Sequence, residues 1–545
     1  MSPKRVATAG ASALLLLGAA VPVASAGNND QGPTTRVIVM SKTKGPGGSA
    51  TAHGHVTQHN GNVVADVDVA DAVVADVTGT ELADLQGDND VVVVPNVQVD
   101  VSGMADTVRT PAAVFPTMTG ATLLNATGVT GRGVGVAVLD TGISRLPDFG
   151  NRLVAGVDLS GEGDPFTDSY GHGTFVAGLI AGDGSSSAGV YRGEAPGANL
   201  ISIKAAGASG STDLATVING IQWAVQNQYK YNIQVLNISM GAPPFPSSVL
   251  NPLDRAAESA WNSGVVVVAS AGNTGPNNGT ITSPGDDPLV VTVGALDDQG
   301  TAVTADDTMT DFSAVGPTTI DGWFKPDLVA SGRSVVSLRA PGSTIDTNFP
   351  SARIGTGNFV GSGTSFSAAI TSGAAALLKQ ANTNGSGTPD RIKGYLLGGA
   401  MPGPVGSPMV DGFGSLNVFN ASKVKAKLYQ PIPTTATAPG TTVSLFVTGA
   451  GSAWNGSNWS GSAWNGSAWN GSSWNGSAWN GSAWNGSAWN GSAWNGSAWN
   501  YNAWNGSAWN GSAWNGSAWN GSAWNGSAWN GSAWNGSAWN GSAWN

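Results

Sequence analysis

The chain has 545 residues, and its last 95, Gly451 to Asn545, divide into 19 pentapeptides that each carry one Trp, so its 23 basic and 34 acidic side chains all lie in the first 450. Even without this tail the length exceeds what one hydrophobic core requires, which excludes a stapled mini-protein. The absence of cysteine excludes disulfides, thiolate-held metals and a cysteine nucleophile, and a net charge of −11 with no basic run excludes a nucleic-acid binder.

Lys4 and Arg5 precede an apolar stretch that ends near Val21 and is followed by Ala24-Ser25-Ala26, the pattern of a secretory signal over 1–26 that is cut after Ala26. The stretch falls short of the roughly 20 residues that span a bilayer. A small α+β unit over 27–106 follows from the run Arg36-Val37-Ile38-Val39-Met40, the alternation from Val63 to Val69, a short helix at Glu81 to Leu85, and Val91-Val92-Val93-Val94. Within it His53, His55 and His59 are read as part of a solvated Gly-bearing loop, with a metal site or a pH sensor as alternatives.

From Gly131 the pattern changes. Strands at Val134–Leu139, Leu200–Ile203, Val235–Ile238, Val265–Ala269 and Leu289–Val293 alternate with helices at Asp213–Gln228, Asp254–Asn262 and Phe366–Gln380, which predicts an α/β domain over 107–430 with a mainly parallel sheet flanked by helices. A helix around Arg391 to Leu397 is the last structured segment expected. Residues 431–450, rich in Thr, Pro and Ala, read as a linker.

Four polar residues stand at element ends in this domain. Asp140 closes a buried strand, where open α/β sheets place their sites. His172, in Gly-His-Gly-Thr, opens an apolar helix and is the one histidine downstream of the N-terminal unit, hence the one candidate base near neutral pH. Ser365 follows Gly361-Ser362-Gly363-Thr364 and starts a helix, whose dipole favours charge developing there; taken alone it reads as an N-cap. Asn273, after the strand Val265–Ala269, offers an amide to an oxyanion or simply shapes a turn.

Read together, Val-Leu-Asp140-Thr-Gly, Gly-His172-Gly-Thr-Phe-Val-Ala-Gly, Ala-Ser-Ala-Gly-Asn273 and Gly-Thr-Ser365-Phe-Ser resemble, in that order, the motifs of the subtilisin-like serine endopeptidases, the subtilases. Ala195-Pro-Gly-Ala198, Asn237-Ile-Ser-Met-Gly241, Ser283-Pro-Gly285 and Lys325-Pro-Asp-Leu-Val329 extend the likeness over about 131–419. The resemblance implies a secreted, self-processing endopeptidase in which Asp140 orients His172, His172 takes the proton of Ser365, and Asn273 stabilises the oxyanion of an acyl-transfer reaction. It implies that Ser239, Met240, Gly241, Ser270, Ala271 and Gly272 line the substrate cleft, with small residues leaving an open first pocket. The N-terminal unit would be an inhibitory propeptide cut between about Val101 and Pro116. Subtilases commonly bind calcium; none is required for the chemistry, and no ligand set is assigned. Two departures, Ala369 four residues after Ser365 where proline is usual and Ala330-Ser331-Gly332 where Ala-Pro-Gly is usual, remove no catalytic group.

Three competing readings carry less. Asp140-Thr141-Gly142 matches an aspartic-protease loop, yet no second such triplet occurs. Gly131-Arg-Gly-Val-Gly135 precedes its strand instead of joining strand to helix, so it is no nucleotide loop. A non-catalytic adhesive protein would leave the four motifs without a purpose. In the tail, a repeat of five puts successive tryptophans on opposite faces of a strand and spirals them around a helix. Ordering the tail costs more entropy than burying its rings offsets, so it is expected to be disordered when isolated, with a solenoid as the alternative; exposed indoles would meet sugars, a cell surface or other tails.

Overall fold

The computed structural model describes residues 33–424, apart from 46, 102, 106–112, 245–246 and 383–386, and strands within 444–539. The secretory signal and the Ala26 cut fall outside the described residues.

The N-terminal body is an antiparallel sheet in the order β2-β3-β1-β4, formed by β1 (Thr35–Ser41), β2 (Asn62–Val67), β3 (Ala72–Val77) and β4 (Val91–Pro95). Two helices accompany it, α1 (Gly48–Gln58) and α2 (Gly79–Gly87), the latter opened by a capping box between Thr78 and Glu81. Val37, Val39, Val73, Ala75, Leu85 and Val91 pack on Ala52 and Val56 of α1. Ile38, Met40, Val74 and Val94, on the alternate strand positions, join the core of the large body instead. The histidine stretch is therefore not a solvated loop. It is α1, held in spite of its glycine and histidine content because Ala52 and Val56, one turn apart, are buried against the sheet.

Beyond it β5 (Gln98–Val101) and β6 (Met104–Ala105) leave this sheet for the large body. After the short helices α3 (Phe115–Met118) and α4 (Ala121–Ala126) the chain alternates: β7 (Gly135–Asp140), β8 (Leu153–Asp158), α5 (His172–Ala181), β9 (Asn199–Lys204), β10 (Ser211–Asp213), α6 (Leu214–Tyr231), β11 (Ile233–Ile238), β12 (Met240–Gly241), α7 (Pro252–Asn262), β13 (Val266–Ser270), β14 (Val291–Asp297), β15 (Thr308–Met309) and β16 (Leu328–Ser331). Strands β8, β9, β7, β11, β13, β14 and β16 lie side by side and parallel, with β15 antiparallel on β14. A second sheet joins β17 (Val335–Leu338), β18 (Arg353–Ile354) and β19 (Asn358–Ser362), with α8 (Thr344–Asn348) between its first two strands. Helix α9 (Thr364–Ala381), buried over nearly its whole length, packs on β7, β11, β13, β14 and β16. The all-round apolar character of its Ala374-Ala-Ala-Leu-Leu378 run suits a central helix. Helices α10 (Pro389–Gly399) and α11 (Val418–Ala421) follow, so structure continues past the helix expected to end it.

In the tail, strands pair in parallel with Trp514 opposite Trp524 and Trp524 opposite Trp534, two pentapeptides further on.

Glu194 is fully buried beneath α9, and burial, opposed only by the Thr119 hydroxyl, pushes its carboxyl up from 4.5 to about 8. Between these values the unfolded chain releases a proton that the folded chain keeps, so stability falls as pH rises through the window, by an amount of the order of 4 kcal/mol. Glu194→Gln should therefore raise the thermal midpoint at pH 9 and leave it nearly unchanged at pH 4.5, as read by differential scanning calorimetry.

Candidate active site

All six residues of β7 are buried, and its last, Asp140, reaches the carboxyl edge of the sheet fully enclosed. His172 is the first residue of α5, entered through Gly171 at φ +107, a conformation that side chains disfavour. The imidazole Nδ1 lies 2.8 and 2.9 Å from the two Asp140 oxygens, and the two residues are 0 and 1 % exposed. With no water to compete, the carboxylate fixes the ring orientation and the tautomer that carries the proton on Nδ1.

A second buried carboxylate, Asp168, holds this pair in place. It accepts the backbone N–H groups of Gly171 and Thr174 at 2.7 Å each and the Thr141 hydroxyl at 2.8 Å. Thr141 in turn donates its N–H to Asp140 and accepts the N–H of Gly173. Burial pushes the Asp168 carboxyl up while these donors oppose it.

Ser365, the second residue of α9, is fully buried, and its hydroxyl donates to the Ser239 carbonyl at 2.9 Å. Ser239 answers with its hydroxyl to the Ser365 carbonyl, and Asn237 and Ser372 continue the chain of bonds into β11 and α9. The Asn273 side-chain oxygen accepts both the N–H and the hydroxyl of Thr364. Phe366 lies 5.5 Å from the His172 ring, centroid to centroid. The structure thus brings Asp140, His172, Ser365 and Asn273 to one edge of the sheet. It does not join His172 to Ser365 by a hydrogen bond, since His172 Nε2 has no partner.

The segment 98–105 explains this arrangement. β5 pairs antiparallel with β10 on one side and β12 on the other, with Asp100 opposite Gly241 and Val101 opposite Met240. β6 then pairs with β19, placing Met104 opposite Ser362. Between them, Gly103 lies so close to the imidazole that a Cβ there would sit 2.9 Å from His172 Nε2. Upstream, the Asn96 side chain and the Val97 carbonyl accept the N–H groups of Ala215 and Leu214, the first turn of α6.

Met240 and Gly241 therefore border this segment, while Ser270, Ala271 and Gly272 continue β13 behind it. The space between the two groups is narrower than their small side chains suggest. Thr282 lies between them, so close that a Cβ on Gly241 would fall 2.6 Å from its hydroxyl and one on Gly272 3.0 Å from its methyl. Neither Thr282 nor Asp168 was singled out from the sequence, although Asp168 stands only four residues before His172. Among the described residues, one group of three titratable side chains lies close enough to share an ion: His55, Asp88 and Asp90 in the N-terminal body. An imidazole does not suit calcium, so no calcium ligands are assigned. No helix among the described residues is long and apolar enough to cross a membrane.

A Cβ on Gly173 would overlap the Gly142 carbonyl oxygen and fall 3.2 Å from the Asp140 Cβ, whereas one on Gly54 of α1 would meet nothing within 4 Å. Gly173→Ala should thus lower the thermal midpoint by several degrees, the result of about 1–3 kcal/mol of overpacking. Gly54→Ala should leave it unchanged or raise it slightly.

A model of the subtilase family matches residues 131–468. Serine protease AprX of Bacillus subtilis (strain 168) is 42% identical over 306 residues, which cover 54% of this chain and 68% of that protein. Subtilisin Savinase of Lederbergia lenta is 36% identical over 297 residues, covering 54% of this chain and 93% of that protein. The crystal structure of fervidolysin from Fervidobacterium pennivorans, described as a keratinolytic enzyme related to subtilisin, shares the fold at a TM-score of 0.56 with 22% identity, over 74% of this chain and 62% of that chain. With a family model over more than half its length, and relatives that are serine proteases, the chain belongs to the subtilase family of serine peptidases.

Proposed function

We propose that this peptidase is an exported endopeptidase made as a zymogen, that Asp140, His172 and Ser365 are its catalytic triad, and that Asn273 donates to the oxyanion. The observation that carries this reading is the buried contact of 2.8 Å between Asp140 and His172 at the sheet edge where Ser365 and Asn273 also stand. Ser365 attacks the substrate carbonyl, His172 takes its proton through Nε2 and later returns it to the leaving amine, and Asp140 stabilises the imidazolium that forms between these steps. With Asn273 Oδ1 committed to Thr364, its Nδ2 is the end that faces the developing oxyanion. The groups named here come from the chain itself, and calcium enters only as a structural ion without assigned ligands.

The N-terminal body is the proposed inhibitory propeptide and 98–105 its tether through the cleft, bound as a substrate strand between β10 and β12. Arg255 fastens the two bodies by donating to the Ser41 carbonyl, and Lys44 pairs with Glu258. The register, with Val101 opposite Met240 and Gly103 against the imidazole, points to self-cleavage between Ser102 and Gly103. Export follows from the Lys4–Ala26 pattern. The substrates are peptides and proteins in extended form, and the tail is proposed to hold the enzyme at a cell surface, a carbohydrate or other tails.

Ser365→Ala should leave the chain at full length, while the unaltered protein yields a new N-terminus at Gly103, both read by intact-mass spectrometry. An unchanged product from Ser365→Ala would overturn self-processing. Asn273→Ala should mature slowly and lose about 10²–10³-fold in kcat, the cost typical of removing an oxyanion donor in a subtilisin. For the first pocket, Thr282→Gly should raise kcat/KM for peptides with Phe or Tyr before the cut bond relative to those with Ala, by about 10-fold or more. An unaltered ratio on a peptide series would remove Thr282 from the pocket.

A further inference from the structure

We propose that the N-terminal body carries a binding site for a divalent cation of the zinc class, with His55, Asp88 and Asp90 as ligands and His59 as the residue that orients Asp88.

The site is assembled from two elements. His55 and His59 are one turn apart at the C-terminal end of α1, so their side chains leave the same face of the helix. Asp88 is the C-cap of α2, and Asp90 follows it into β4. Ligand atoms of His55, Asp88 and Asp90 all lie within 4.8 Å of one another. The carboxylate between the elements is pre-oriented. Asp88 Oδ1 accepts the N–H of Asp90 at 2.9 Å, which turns Oδ2 toward His55 Nδ1 at 2.6 Å and His59 Nε2 at 3.3 Å.

The donor set selects the ion. An imidazole with carboxylates suits zinc, cobalt, nickel or copper, whereas calcium and magnesium take oxygen-only sets. The side chains of His55 and His59 are about one-fifth exposed and that of Asp88 11 % exposed, while Asp90 is exposed, which leaves an entry path for the ion. The third histidine of the helix, His53, faces elsewhere and pairs with Asp66. A bound ion would tie the end of α1 to the turn between α2 and β4, two elements that otherwise meet through the small core around Val56 and Leu85. Resting on the zymogen reading above, the same tie would slow loss of the N-terminal body.

The test is isothermal titration of zinc chloride into the full-length Ser365→Ala chain, which stays intact during the measurement. One zinc per chain is expected at micromolar affinity, without competition from calcium. His55→Ala should abolish binding, and His59→Gln should weaken it about 10- to 100-fold, the usual cost of losing a group that orients a ligand. Circular dichroism of each variant establishes that α1 has folded, and Asp88→Asn serves as the replacement should His55→Ala unfold. Absence of saturable zinc binding, or binding retained in a folded His55→Ala or Asp88→Asn chain, overturns the site. In the active chain, zinc should lengthen the time to conversion, and not in His55→Ala. Conversion that ignores zinc, in a chain shown by calorimetry to bind it, overturns the slowing alone and leaves both the site and the zymogen reading standing.

Discussion

The structure turns on one buried hydrogen-bonded pair. Asp140 and His172 come from different elements, a strand end and a helix start, and neither side chain has access to solvent. An enclosed carboxylate is costly unless its acceptors are used, and Asp140 uses them on the imidazole and on the N–H of Thr141. The surrounding sequence is shaped by that requirement. Gly171 permits the abrupt entry into α5, Gly173 lets the helix touch the loop after β7, and Thr141 and Asp168 fill the remaining hydrogen-bonding positions.

Ser365 is held by different means. It depends on α9, which runs through the middle of the large body, and on a chain of side-chain hydrogen bonds from Ser372 through Asn237 to Ser239. A helix buried on all sides cannot shift without disturbing five strands, so the start of α9 is among the most fixed points of the molecule. The two halves of the site therefore rest on separate supports, and the segment that includes Gly103 lies between them. This accounts for Ser365 bonding to Ser239 while the near face of the imidazole meets Gly103.

Most of the large body was legible in the sequence because its parallel strands, buried on both faces, read as unbroken apolar runs such as Val136-Ala-Val-Leu139 and Val266-Val-Val-Ala269. The four motif residues stood out because each stands at an element end with a glycine within two residues. What escaped notice was settled by tertiary packing. Helix α1 carries Gly54 and two histidines, with a third at its C-cap, poor local signals, and exists because Ala52 and Val56 are buried. Asp168 looks like any turn aspartate until its three donors are seen. Thr282 enters the cleft from a loop that the chain order separates from both glycines it touches.

Asn96 and Val97 satisfy two amides at the positive end of α6, an 18-residue helix. Under the proposed processing, departure of the N-terminal body would turn those amides to water and open the end of a helix dipole beside the groove that β10 lines. A polypeptide newly laid in that groove restores the lost partners only if it extends far enough upstream to deliver a carbonyl or a polar side chain there. In the proposed mature form, reach along the chain would thereby count as well as the residue at the cut bond.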